Sequence, residues 1–161
     1  MGAFPRWCLG GLAVGDPSAD SVRHALSWGD QRVLRAEVLA ALLLGAGEVE
    51  PGRVPVLRLR GVRVTGRLDL MGATVCCPLV CEYCWFDEQL RFVESSVKTV
   101  RIVASRLPGF DGARMRLGGR LDLSSSSADS MITLVQAKVS GLLSLRDGPR
   151  NRASVRRGDP V

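Results

Sequence analysis

Four cysteines fall within nine residues: Cys76, Cys77, Cys81 and Cys84. The Cys81-x-x-Cys84 spacing is that of a redox pair, or of half a zinc site with Cys76 and Cys77 as the other half; both chemistries need thiolates. His24 is the single histidine. A Ser-His-Asp set would have to bring it to one of Ser124, Ser125, Ser126 or Ser127, and no nucleophile-elbow motif surrounds those serines. Asp69 and Asp122 occur in literal copies, Gly66-Arg-Leu-Asp-Leu70 and Gly119-Arg-Leu-Asp-Leu123, and acid/base work would need the two carboxylates side by side. Arg58, Arg60, Arg63 and Arg67 form a possible anion-binding face. The aromatics that base stacking requires are not interleaved with them. Nucleotide motifs fare worse: Gly10-Gly11 and Gly15 lack the dinucleotide-binding spacing, and no P-loop lysine follows a glycine-rich turn.

Which of these groups can meet depends on the elements that carry them. Residues 1–29 are rich in Gly, Pro and Asp, have no clean period, and read as an irregular lead-in with Trp7 and Trp28 as anchors. A helix is predicted over 30–46. Asp30 is its N-cap, strong helix formers fill it, and Leu34, Val38, Ala41 and Leu42 lie on one face. Gly45 and Gly47 can end it, and Pro51 blocks its continuation.

From Val54 the period changes to eleven. The fourth position of successive units reads Leu57, Leu68, Leu79, Leu90, and the sixth reads Leu59, Leu70, Cys81, Phe92. The ninth is mostly small: Val62, Ala73, Cys84, Ser95. The eleventh is large: Val64, Val75, Phe86, Val97. Two units of ten follow, Lys98–Leu107 and Pro108–Leu117, and the elevens resume at Gly118, Asp129 and Ser140. Such phase-keeping self-similarity marks a repeat architecture. The fourth and sixth positions alternate with polar neighbours, as in a strand with one face inward. A second short inward segment follows in each unit. Two units therefore make one four-sided coil of about 22 residues, and nine units make a stub on the order of 20 Å long. The expected fold is mainly β: a short quadrilateral β-helix over 54–148 with an N-terminal capping α-helix.

The register reinterprets the chemical candidates. Cys81 takes an inward leucine position and Cys84 an inward small one, so both are expected in the core, with Cys76 and Cys77 at a corner as partly exposed thiols. The reading is thus no metal, no cofactor and no catalytic residue, with the cysteines as weak metal candidates. Asp69 and Asp122 point outward, more than two coils apart, on a solvated face.

The net charge is +6, and four arginines against Asp159 crowd residues 149–161, which read as a basic disordered tail. Mild basicity allows a weak nucleic-acid or anionic-surface partner without requiring one. The longest apolar run, Val38–Ala46, is far short of the roughly 20 residues that span a bilayer. Glycines interrupt the N-terminal apolar stretch where a signal peptide would need continuity. Five cysteines, an odd number, argue against a secreted disulfide framework. Together these predict a cytoplasmic location.

Small-x-large steps such as Ala73-Thr-Val75 and Ala137-Lys-Val139 resemble those of pentapeptide-repeat proteins, although the strict five-residue pattern is not kept. Residues 28–45, Leu57–Leu70 and Cys84-Trp-Phe-Asp87 are more closely similar to an actinobacterial pentapeptide-like β-helix family commonly labelled membrane-associated oxidoreductases. The resemblance spans roughly residues 28 to 148. It implies a solenoid, longer in other members, and a redox cofactor for which no residues stand out here. The expected function is a non-catalytic β-helical scaffold or protein-interaction module, with the oxidoreductase and electrostatic-binder readings as alternatives. A longer parent solenoid, or a second copy, would cover the C-terminal end; an unknown protein partner or self-association is expected there.

Overall fold

A computed structural model of the chain describes residues 12–13, 32–46, 52, 55–146 and 156–157. The chain winds as a parallel β-solenoid with four sides, one strand or bridge per side in each coil. Side 1 stacks Leu12–Ala13, Leu57–Arg60, Leu79–Glu82, Val100–Val103, Leu121–Asp122 and Leu143–Ser144. Side 2 stacks Val33–Arg35, Arg63–Thr65, Trp85–Phe86, Arg106–Leu107 and Ser127–Ala128. Side 3 begins at an isolated bridge from Asp69 and continues through Leu90–Arg91, Phe110–Asp111, Ile132–Leu134 and Arg156–Arg157. Side 4 begins at a bridge from Thr74 and continues through Ser96–Val97, Arg116–Leu117 and Lys138–Val139.

The predicted register holds. Leu57 pairs with Leu79, Leu79 with Val100, Val100 with Leu121, and Leu121 with Leu143. The shorter coils are those containing the ten-residue units. The missing residue comes out of a corner: two residues, Lys98 and Thr99, separate inward Val97 from inward Val100, where three separate Val75 from Leu79. Inward positions from Leu57 to Leu134 are buried except Ala73, which is half-buried, and the Phe92 and Phe110 rings stack at 5.2 Å. Gly112 fits its inward position because a Cβ there would lie 2.5 Å from Met115 Sδ and 2.9 Å from the Phe110 ring.

Each of the first eight units also bends through a left-handed residue just before its small inward position. Gly61, Gly72, Tyr83, Glu94, Ala104, Arg114, Ser125 and Gln136 follow one another at intervals of eleven or ten and have φ between 50° and 68°. This conformation turns the chain from the long strand into the small ninth position. Only the first two units place glycine there, the residue to which the conformation costs least.

At the N-terminal end two expectations are corrected. The helix spans Ala36–Leu43 instead of starting after Asp30, and Val33–Arg35 is a strand paired with Arg63–Thr65. The open edge of side 2 captures Val33–Arg35 into its ladder, so Arg35, with extended backbone, becomes the residue preceding the helix. Asp30 and Gly47 lie outside the described residues. The buried helix face is Ala36, Leu39, Leu42 and Leu43, with Val38 and Ala41 half-buried. Its C-terminus closes as predicted at Gly45, φ 98°: Gly45 N–H donates to Leu42 O and Ala46 N–H to Ala41 O. The helix caps the first coil, packing into its core and accepting the Cys76 N–H at Leu43 O. Two further strands fall in segments read as irregular or disordered: Leu12–Ala13 extends side 1, and Arg156–Arg157 extends side 3 beside Thr133–Leu134.

Candidate functional site

Cys76, Cys77, Cys81 and Cys84 are free thiols on one turn of the solenoid, but they do not converge on one point. Cys76 is exposed at the corner after side 4. Cys77, expected to be partly exposed, is buried instead, and its thiol is pushed up to about 11 by burial and by the neighbouring Cys76. Cys81 stands in register between Leu59 and Ile102, in a leucine's place, with no exposure. Its hydrogen bond to Cys84 and its burial hold its pKa well above the usual thiol range. The Cys84 thiol points to the Glu82 and Leu59 carbonyl oxygens at 3.4 and 3.6 Å. Cys77 and Cys81 are therefore protonated at neutral pH, whereas nucleophilic attack and metal ligation use the thiolate. Among the described residues no group of three or more His, Cys, Asp or Glu side chains is placed to hold a metal ion.

The four arginines of the first coil are spread around it. Arg58 and Arg60 lie on side 1, Arg63 on side 2 and Arg67 at the following corner. Three of them meet carboxylates one coil along. Arg63 forms a bidentate pair with Asp87, Arg67 Nε lies 3.6 Å from Glu88, and Arg60 Nε lies 3.9 Å from Glu82 with its guanidinium over the Tyr83 ring. Arg58 is exposed and meets no carboxylate among the described residues.

The same pattern continues along the solenoid. Arg91 pairs with Asp69, Arg101 with Asp122, Arg106 with Asp129 and Arg114 with Glu94. Every pair joins adjacent coils, because its members lie 20 to 24 residues apart. Arg106 also stacks on Trp85 at 4.2 Å and donates to Phe86 O. Most of the arginines on sides 1 to 3 and their corners thus serve as coil-to-coil stitching.

Asp69 and Asp122 are far apart, as the register requires, and each has a local task. Asp69 accepts the Met71 N–H, and Asp122 accepts the Ser124 N–H, closing the turn two residues on. Asp122 is buried, contrary to the solvated face expected for it, because the Ser124 hydroxyl and Arg101 cover it and Ser144 hydrogen-bonds to Ser124. The serine run forms a turn, with Ser126 inward. His24 lies outside the described residues.

The sequence reading missed an inner column of hydroxyls. Ser105 Oγ accepts the Cys84 N–H and donates to Val103 O; Ser126 Oγ accepts the Ser105 N–H and donates to Ile102 O. Each lies just after a left-handed residue, where the ladder is broken and a backbone N–H needs a partner. The signal was present as serine at the ninth position. No protein-family model matches the chain, and no curated protein or solved structure matches it either.

Proposed function

We propose that the chain is a non-catalytic β-helical scaffold or protein-interaction module. One observation carries this reading: seven arginines of the solenoid meet carboxylates of the adjacent coil, and Cys77, Cys81 and Cys84 pack in the core instead of converging on a substrate. A structure of this kind presents fixed surfaces at regular spacing, which suits docking. The docking contact runs through the last described coil. Val139, Leu143 and Leu145 are half-exposed there, while their counterparts one coil earlier, Leu117, Leu121 and Leu123, are buried. The free thiols fit a reducing, cytoplasmic setting. The likeness to pentapeptide-like solenoids belongs to the same proposal. None of the described helices is long and apolar enough to cross a membrane.

Native mass spectrometry of the reduced protein tests the reading. The expected result is the bare chain mass, with self-association that is lost in Leu143→Asp. A bound flavin, nicotinamide nucleotide or zinc would overturn it in favour of the oxidoreductase that the resemblance implies.

A further inference from the structure

Side 4 departs from the charge pattern of the other three. A hollow of about 380 Å³ opens on it, lined in part by Lys98, Arg116 and Lys138 and by the hydroxyl residues Thr74, Ser96 and Ser140. Among the described residues no carboxylate and no aromatic ring lines it. Arg60, Arg63, Arg67, Arg91, Arg101, Arg106 and Arg114 each face a carboxylate of the neighbouring coil, but these three cations face none among the described residues.

The fold presses them together. Arg116 and Lys138 are register partners on adjacent parallel strands, and Ser96 is the register partner of Arg116 on the other side. Like charges placed opposite one another across a ladder repel and destabilise the pair. Gly118 occupies the corner position between Lys98 and Ser140, and a Cβ built there would meet nothing within 4 Å, so the space beside Arg116 stays open. The Thr74, Ser96 and Ser140 hydroxyls make no hydrogen bond within the described structure, which leaves them free to donate.

We propose that this hollow binds a small anion carrying several phosphoryl groups, with Lys98, Arg116 and Lys138 neutralising its charge and the hydroxyls donating hydrogen bonds. The assignment goes beyond the scaffold reading and does not depend on it. The volume is on the scale of small-ligand pockets, which begin at roughly 300 Å³. The cations belong to three successive coils, so they extend over about 10 Å at a strand spacing of about 4.8 Å, more than one phosphoryl group can bridge. Without a stacking ring, recognition rests on the phosphoryl groups and not on a base.

Calorimetric titration of the full chain with inorganic triphosphate tests this. Saturable one-to-one binding that weakens with salt is expected, with orthophosphate weaker. Arg116→Gln or Lys138→Gln should each weaken binding on the order of tenfold, as loss of a charged hydrogen-bond donor does. Arg58→Gln, an exposed cation on side 1, should leave it unchanged. Lys98→Gln, at the corner and outside the strand ladder, gives the same readout if a strand variant folds poorly. Absence of saturable binding, or an equal loss in Arg58→Gln, would overturn the site. Binding to vesicles containing phosphorylated inositol lipid without binding to triphosphate would overturn the small-anion assignment in favour of a membrane surface.

Discussion

Arg63 of one coil grips Asp87 of the next through two hydrogen bonds, Nε to Oδ1 at 2.9 Å and Nη2 to Oδ2 at 2.8 Å. Both side chains are about three-quarters withdrawn from solvent, at 24% and 23% exposure, and the paired geometry sets them apart from looser pairs such as Arg60 with Glu82 at 3.9 Å. The exchange joins two coils where their backbones already pair at Arg63 and Trp85.

Removing this pair should weaken the first coil-to-coil interface. Exposed ion pairs contribute about 0–1 kcal/mol, and a bidentate, half-buried one sits at the upper end, near about 1 kcal/mol. Arg63→Gln and Asp87→Asn should each lower the denaturation midpoint, and a double-mutant cycle should show coupling of about 0.5–1 kcal/mol. Arg67→Gln, whose pair with Glu88 is more than half exposed, should change stability by less. Equal effects at Arg63 and Arg67 would show that geometry does not govern these contacts.

The left-handed residue of each unit offers a stabilising change. Ala104 has φ 50°, a conformation that costs a side-chain-bearing residue about 1–2 kcal/mol and glycine almost nothing. Glycine also loses more entropy on folding, so the net gain for Ala104→Gly should be about 0.5–1 kcal/mol. Ala104→Val should move the other way, since a β-branched chain tolerates positive φ least. Thermal denaturation of the three proteins orders them. If Ala104→Gly melted below the parent protein, the turn would be held by contacts that outweigh backbone preference.

How far the fold was legible follows from what kind of signal each feature leaves. Leu57, Leu68, Leu79 and Leu90 recur at a fixed interval because each fills an equivalent place in the core, so period alone reveals the coil. Tyr83, Glu94 and Arg114 share a left-handed backbone but no side-chain type, so nothing in composition marks them. Val33–Arg35 carries helix-compatible residues, and only a neighbouring strand edge, a tertiary contact, turns it into strand. Cys81 and Cys84 were legible as core residues because inward positions are periodic, while Cys77, at a corner, was not. The basic hollow was hidden for a further reason: Arg116 and Lys138 lie 22 residues apart and meet only when outward positions are compared every second unit.

Thiol chemistry should report the burial. With thiol reagents at neutral pH, Cys76 should react in the folded protein while Cys77, Cys81 and Cys84 react only on unfolding. Alkaline pH should add a stability effect. The Cys77 pKa rises from 9.0 to about 11 on folding, mainly through burial. A thiol whose folded pKa is raised favours folding fully below 9.0, and that contribution fades as pH climbs toward 11. The melting temperature should therefore fall between pH 9 and pH 11, and Cys77→Ala should flatten part of that fall. An unchanged slope in Cys77→Ala would place the titrating group elsewhere, with buried Cys81 the next to substitute.

Ser105 is the most exacting test of the inner hydroxyl column. Its Oγ accepts the Cys84 N–H at 3.0 Å and donates to Val103 O at 2.9 Å, and the residue is 3% exposed. Ser105→Ala keeps the volume nearly constant but leaves the Cys84 N–H without its acceptor in a buried place. Such an orphaned group costs about 1–3 kcal/mol, more than the bond itself contributes. Ser126→Ala should act in the same way on the Ser105 N–H, and the two losses should be non-additive because they share Ser105. Ser127→Ala, exposed on the neighbouring strand, should fall within about 0.5 kcal/mol of the parent protein. Chemical denaturation resolves these differences. If Ser105→Ala matched Ser127→Ala, the small ninth position would be a matter of volume alone, and alanine or cysteine there would serve as well as serine.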